Sequence, residues 1–335
     1  MKKIVACNRS VELIEESKPA IKPSYVLVKT LYSVISPGTE LLTIESSEGK
    51  QIPLGYSAVG IAEEIGDHTE DLKAGDIVAC YGAPYVHHAE YLLVPKTLVA
   101  KVPDSVDPKE AALAGIGAIA IHALRVANLE FGETVVVAGL GLLGQMIAKI
   151  ADAAAYRVIG YDLHQERTTM LHSETNIKTF TAIENLENEI GRLTRGNGAD
   201  AVLLCMGGKR THLTGESLKW IRNKGKVVIV GDVEPDFPRS LMFSKEAQIL
   251  ISRAGGPGRY DYVYEAEAID YPYGFVRWTE GRNIEEYIRL LSERKINVSS
   301  FITEIVDYKS AAGEFEKLQN KETNVLTYII DFTKV

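Results

Sequence analysis

Three glycines in the run Gly139-Leu140-Gly141-Leu142-Leu143-Gly144 stand directly behind an apolar stretch, Val135-Val136-Val137-Ala138. Glycines at this spacing let a chain turn sharply, bring its backbone against a phosphate, and pack a helix closely on the preceding strand. Residues Gln145 to Ala155 read as that helix, whose free N–H groups and positive dipole end would seat a pyrophosphate. A second strand-like run, Arg157-Val158-Ile159-Gly160-Tyr161, ends at Asp162. Asp162 lies about twenty residues past the first glycine, where a carboxylate accepts hydrogen bonds from an adenosine ribose. It would repel the extra phosphate of NADP, so the pattern predicts NAD. Arg167 is the reservation, because a nearby arginine can be recruited to that phosphate. Cys205 and Gly231, at the ends of two later strands, are counted with this cofactor-binding group.

The elements that must hold this turn are legible on either side of it. Before about residue 100 the chain reads as strands and turns: Tyr25 to Leu31, Ile61 to Ile65 and Asp76 to Cys80 are strand-like, separated by Pro37-Gly38, Glu48-Gly49 and Ala74-Gly75-Asp76. From there short apolar strands alternate with helical stretches, which implies a parallel sheet. The predicted strands are Thr134–Ala138, Arg157–Tyr161, Ala201–Cys205, Lys226–Val230 and Gln248–Ser252. A Gly/Tyr-rich loop is expected from Ala254 to about Arg282, then an amphipathic helix over Ile284 to Leu291.

Composition narrows the partners. The 335 residues suffice for two domains, and 46% hydrophobic with 24% charged is a globular composition. A net charge of -8 without a basic block argues against nucleic acid and against a membrane surface. The longest apolar stretch, Ala111 to Ala127, is broken by Gly115, Gly117, His122 and Arg125, and reads as a buried or interface helix. Three scattered cysteines, Cys7, Cys80 and Cys205, do not make a disulfide framework and fit a reducing compartment. The apolar start, Met1 to Val5, is too short for a signal peptide, so the cytoplasm is the expected location.

The stretches Gly75-Asp76-Ile77-Val78, Val102-Pro103-Asp104 and Phe131-Gly132-Glu133-Thr134-Val135-Val136-Val137 resemble the medium-chain dehydrogenase/reductase superfamily, over nearly the whole chain. The resemblance implies an α/β chain in which a β-rich GroES-like catalytic domain surrounds an inserted Rossmann domain with a doubly wound parallel sheet. The expected division is 1–115 catalytic, 116–254 Rossmann and 255–335 returning to the catalytic domain, with the active site in the cleft between domains. Ser36-Pro37-Gly38-Thr39-Glu40, Pro53-Leu54-Gly55-Tyr56-Ser57, His88-Ala89-Glu90-Tyr91 and the Gly256 to Asp261 stretch narrow the likeness. They resemble the dehydrogenase half of bacterial two-part oxidoreductases associated with sugars, cyclitols and surface polysaccharides. A homodimer through Rossmann edge strands is implied by family habit.

Zinc-dependent relatives carry three ligand positions, and this sequence departs at each. Pro37 stands for the cysteine, Tyr56 for the histidine (with Ser57 after it), and Gly115-Ile116-Gly117 lies near the third. Catalytic zinc needs three N, S or O ligands, so no metal is expected. Something else must then carry the alcohol proton. Tyr56 is the first candidate, His88 the second, and Thr39 matches a relay hydroxyl. Glu40, Arg259 and Tyr260 are the expected substrate contacts, although Glu40 can equally brace its loop and the tyrosines after 259 can equally be packing surface. The reading is a zinc-independent, NAD-dependent oxidoreductase acting on a polar secondary alcohol or its ketone. An NADPH-dependent quinone or enoyl reductase and a non-catalytic dinucleotide-binding protein stay open as alternatives.

Overall fold

The computed structural model describes residues 1–69, 71–208, 211–320 and 325–334. They divide into two compact units: Met1–Ala118 together with Gly255–Val335, and Ile119–Ala254.

The second unit is a parallel sheet of six strands among the described residues, ordered Lys178–Phe180, Arg157–Tyr161, Thr134–Ala138, Ala199–Leu204, Ile221–Ile229, Gln248–Ile251. Every residue of Thr134–Ala138 is buried, as expected of a central strand covered on both faces, and this is why it reads as an unbroken apolar run. Strand order reverses at this strand, so its carboxyl end is the switch point where open α/β sheets bind ligands. Tyr161 and Trp220 meet edge to face at 6.0 Å within the core that also holds Val136, Leu186 and Ile190. Burying an apolar side chain of this size contributes roughly 1.5–3 kcal/mol.

The first unit carries, among the described residues, a seven-stranded sheet and a three-stranded one. The smaller begins with a hairpin of Lys2–Cys7 and Ser10–Glu15. Its two-residue turn, Asn8-Arg9, has both φ values positive, the turn whose twist suits paired strands. In the larger sheet Tyr25–Val34 is the hub. It pairs antiparallel with Ser57–Ile65, with Tyr91–Pro95 and with the late strand Tyr328–Asp331. Ile4, Ile35, Ile44, Leu54, Phe315 and Phe332 form one core, so the first and last parts of the chain share a hydrophobic cluster.

The structure departs from expectation at short or irregular elements. Lys178–Phe180 is a strand of three residues, too brief to show periodicity. The expected loop from Ala254 contains a helix, Tyr262–Glu265, capped by the Asp261 side chain. The apolar stretch from Ala111 is helical as Ala114–Ala127, and no helix of the described residues is long and apolar enough to cross a membrane.

Candidate functional site

The glycine turn of the second unit follows from backbone geometry. Gly139 has φ +95°, and a Cβ there would lie 2.7 Å from the Met206 amide nitrogen. At Gly144 a Cβ would come within 1.8 Å of the Gly139 carbonyl oxygen, so only glycine lets helix Leu142–Ala153 sit on the strand. Gly141 differs: nothing of the chain lies within 4 Å of a Cβ built there. It is also the N-cap, and no side chain caps the helix. Uncapped N–H groups beside open space are what a pyrophosphate needs.

Asp162 is 5% exposed and links the second strand to this turn. Its Oδ2 accepts from the Leu140 amide at 2.6 Å and its Oδ1 from the His164 amide at 2.8 Å. The Arg167 guanidinium approaches Oδ2 at 3.5 Å and is partly exposed. Leu140 serves the turn through its backbone, since its side chain is buried against Gly160. Leu142 is buried and Leu143 half-buried. Cys205 donates its amide to the Ala138 carbonyl at 2.7 Å and packs behind Gly144, and burial pushes its thiol well above the ordinary value. Gly231 sits against the Met206 carbonyl. Met206 thus touches the ground of both Gly139 and Gly231, and nothing in its own residue type signals that.

In the first unit, helix Pro37–Glu45 opens with Pro37, whose missing N–H costs nothing in a first turn. Ser36 is the N-cap, and Glu40 reaches back to accept from the Ser36 amide at 2.6 Å. The other Glu40 oxygen lies 2.8 Å from His88 Nε2, and His88 Nδ1 lies 2.7 Å from Ser33 Oγ. With the proton on Nε2, His88 donates to Glu40 and accepts from Ser33, satisfying the whole chain of partners. His88 is 0% and Glu40 2% exposed. The pair braces the loop ahead of the helix from within. His87 and His88 lie in a loop that touches the small sheet through the Lys3–Ala89 bridge.

Tyr56 is half-buried, and its hydroxyl donates to Ser36 Oγ at 2.7 Å. Burial raises its phenol above the ordinary value; the Ser36 and Thr39 hydroxyls work against that shift, and the Glu40 charge adds to it. Thr39 is exposed in the helix's first turn. The structure therefore brings Tyr56, Thr39 and Ser36 together, with His88 behind them. The Tyr56 ring meets the Tyr81 ring edge-on at 6.0 Å. Ser36, Ser33 and Tyr81 were not foreseen; the position of Ser36 before Pro37 was an N-cap signal available in the sequence.

Glu40 and Arg259, the expected substrate contacts, are each bonded to neighbouring groups. Both Glu40 oxygens are bonded as above. Arg259 pairs with Glu265 at 2.5 Å, with both side chains mostly buried. Tyr260 is 56% exposed and lies under the Arg259 guanidinium at 4.2 Å. Among the described residues, no three His, Cys, Asp or Glu side chains are grouped to hold a metal ion.

Residues 139–268 match the family model for zinc-binding dehydrogenases. D-xylulose reductase of Saccharomyces cerevisiae is 26% identical over 313 residues, covering 83% of this chain and 81% of the relative. The resemblance of this chain to the medium-chain dehydrogenase/reductase superfamily is in keeping with both matches. Solved structures of that superfamily share the fold along the whole length. Galactitol-1-phosphate dehydrogenase of Escherichia coli superposes with a TM-score of 0.81 at 19% identity, covering 99% of this chain and 100% of the other. Alcohol dehydrogenase TADH of Thermus sp. ATN1 superposes with a TM-score of 0.78 at 22% identity, covering 99% of each. These relatives and structural neighbours are named as dehydrogenases and reductases.

Proposed function

We propose that this chain is a zinc-independent, NAD-dependent oxidoreductase that interconverts a secondary alcohol and ketone on a polyol-like substrate, with Tyr56 as the proton carrier. The observation that carries this reading is the Tyr56 phenol, bonded to Ser36 and flanked by Thr39, standing where the resemblance puts a metal ligand. The residue types oppose zinc: Pro37 and Ile116 offer no side-chain donor, and a neutral phenol is a poor substitute for thiolate or imidazole. The names of the relatives, a xylulose reductase and a galactitol-phosphate dehydrogenase, support a polyol as the substrate class.

The glycine turn and Asp162 fit a dinucleotide. Bound NAD supplies the hydride acceptor at its nicotinamide ring. The chain's own part is proton handling. In ketone reduction, the neutral Tyr56 phenol donates its proton to the substrate oxygen, and the Ser36 and Thr39 hydroxyls solvate the phenolate left behind. In alcohol oxidation, the ionised phenol takes the proton instead. At neutral pH the phenol is in the neutral form that ketone reduction requires. Arg167, within reach of Asp162, supports the second reading, a reductase using NADPH.

The test is steady-state kinetics of metal-stripped protein on polyols and the matching ketoses. Wild type should stay active after chelation, and Tyr56→Phe should lower turnover at least tenfold without weakening cofactor binding. Activity lost on chelation and restored by zinc, or an unchanged Tyr56→Phe, would refute the proposal.

A further inference from the structure

Away from Tyr56 and the glycine turn, the first unit buries a carboxyl group that the chemistry above does not use. Glu280 opens helix Glu280–Ser292 and is 0% exposed. Among the described residues, no N–H or O–H donor serves either of its carboxyl oxygens. The polar group set against it is a second carboxyl, that of Glu265. Glu265 is itself supplied with donors: its Oε1 accepts from Arg259 Nη1 at 2.5 Å and from the Tyr260 amide at 3.2 Å. The tyrosines around Glu280 are spent elsewhere. The Tyr264 hydroxyl is bonded to Thr279, to the Thr97 carbonyl and to the Gly281 amide, Tyr271 to Asp261, and Tyr81 to the Gly255 backbone.

Two buried carboxylates and one guanidinium leave one negative charge without a partner. An ionised Glu280 would be a buried charge with no donor, which proteins avoid by holding the proton. A protonated Glu280 resolves every contact at once. It donates its O–H to Glu265, and Glu265 answers Arg259 and Glu280 together. We propose that Glu280 is held as a neutral acid sharing its proton with Glu265, and that this shared proton latches the Gly255–Glu280 segment against Tyr81.

The latch has a clear mechanical location. A Cβ on Gly255 would lie 2.6 Å from the Tyr81 ring and 2.9 Å from Glu280 Cβ, so the backbone there is wedged between the two. The Glu280 amide donates to the Pro257 carbonyl, and the Asn283 side chain donates to the Gly255 carbonyl. The groups facing Glu280 are Glu265, Arg259, Tyr81, Tyr264 and Tyr271. Of these only Arg259 is a cation, and it is already paired with Glu265. Burial first, and then the Glu265 charge, push the Glu280 carboxyl up to about 8. The folded protein therefore keeps a proton that the unfolded chain releases near the ordinary carboxylate value. The stability contributed is complete below that ordinary value, falls as pH rises through the window, and is gone above about 8.

The experiment compares the intact wild-type chain with Glu280→Gln, whose amide can still donate to Glu265 but cannot ionise. Infrared spectra should show a protonated-carboxyl C=O band in wild type at pH 7 that is missing in the variant. The band should disappear on raising the pH, with a midpoint near 8. The thermal midpoint of wild type should fall relative to Glu280→Gln between about pH 5 and pH 8. Parallel stability profiles, or no band difference, would overturn the proposal. Should Glu280→Gln not fold, the wild-type band decides alone: its absence at pH 7, or its loss below pH 6, also overturns it.

Discussion

Tyr56 and His88 illustrate how far a residue type predicts its role. Both were candidates for proton transfer, one by its phenol and the other by its imidazole. The structure gives them different surroundings: Tyr56 is half-buried with hydroxyl neighbours, whereas His88 is sealed between a carboxylate and a serine. His88 is thus a positioning residue for the loop that carries Ser36. Replacing it by alanine leaves Glu40 and Ser33 short of a partner in the interior. We expect His88→Ala to destabilise the protein by about 3 kcal/mol, the sum of an unpaired buried polar group and a cavity, read from its urea unfolding midpoint. What the sequence could not show here is depth. The order Ser33, Ser36, Glu40, His88 names the partners but not that they converge, because Glu40 and His88 meet across 48 positions of chain.

At the scale of elements, the glycine turn was the most legible feature. A strand covered on both faces must be apolar throughout, and the turn behind it admits only glycine at two of three places, so both leave strong marks. Strands Thr134–Ala138 and Arg157–Tyr161 have the expected bounds for that reason. Strand Ile221–Ile229 begins five residues earlier than predicted, because Ile221 pairs with Ala199 across an irregularity, and the polar residues Arg222 to Lys224, outside the strand pairing, bury little. Two expectations attach to this turn. Fluorescence titration should show NADH binding at least tenfold tighter than NADPH, since Asp162 would face the added phosphate; the reverse order would move the role to Arg167. Gly144→Ala should abolish cofactor binding in the same titration, because its Cβ would collide with backbone rather than with a side chain that can rotate.

At the scale of the whole molecule, the family and fold were readable from spaced motifs, since each marks a turn or strand end that any sequence of this architecture must solve. Assembly was not. The second unit ends its sheet at Gln248–Ile251, an edge strand that leaves Ile251 73% exposed. An apolar side chain on an unpaired edge favours pairing with another copy. We expect sedimentation to show a homodimer and Ile251→Glu to shift it to monomer, with cofactor affinity little changed.

The pairing of Tyr328–Asp331 with Tyr25–Val34 also has a consequence in time. A ribosome releases the hub strand long before this neighbour. During synthesis, the Tyr32–Val34 end of one flank waits for this partner, while the second unit, whose strands all come from one continuous stretch, can close first. The nascent chain would then carry a finished nucleotide-binding half beside an open, aggregation-prone edge. Chaperone dependence should concentrate in that interval and end when Tyr328–Asp331 is delivered.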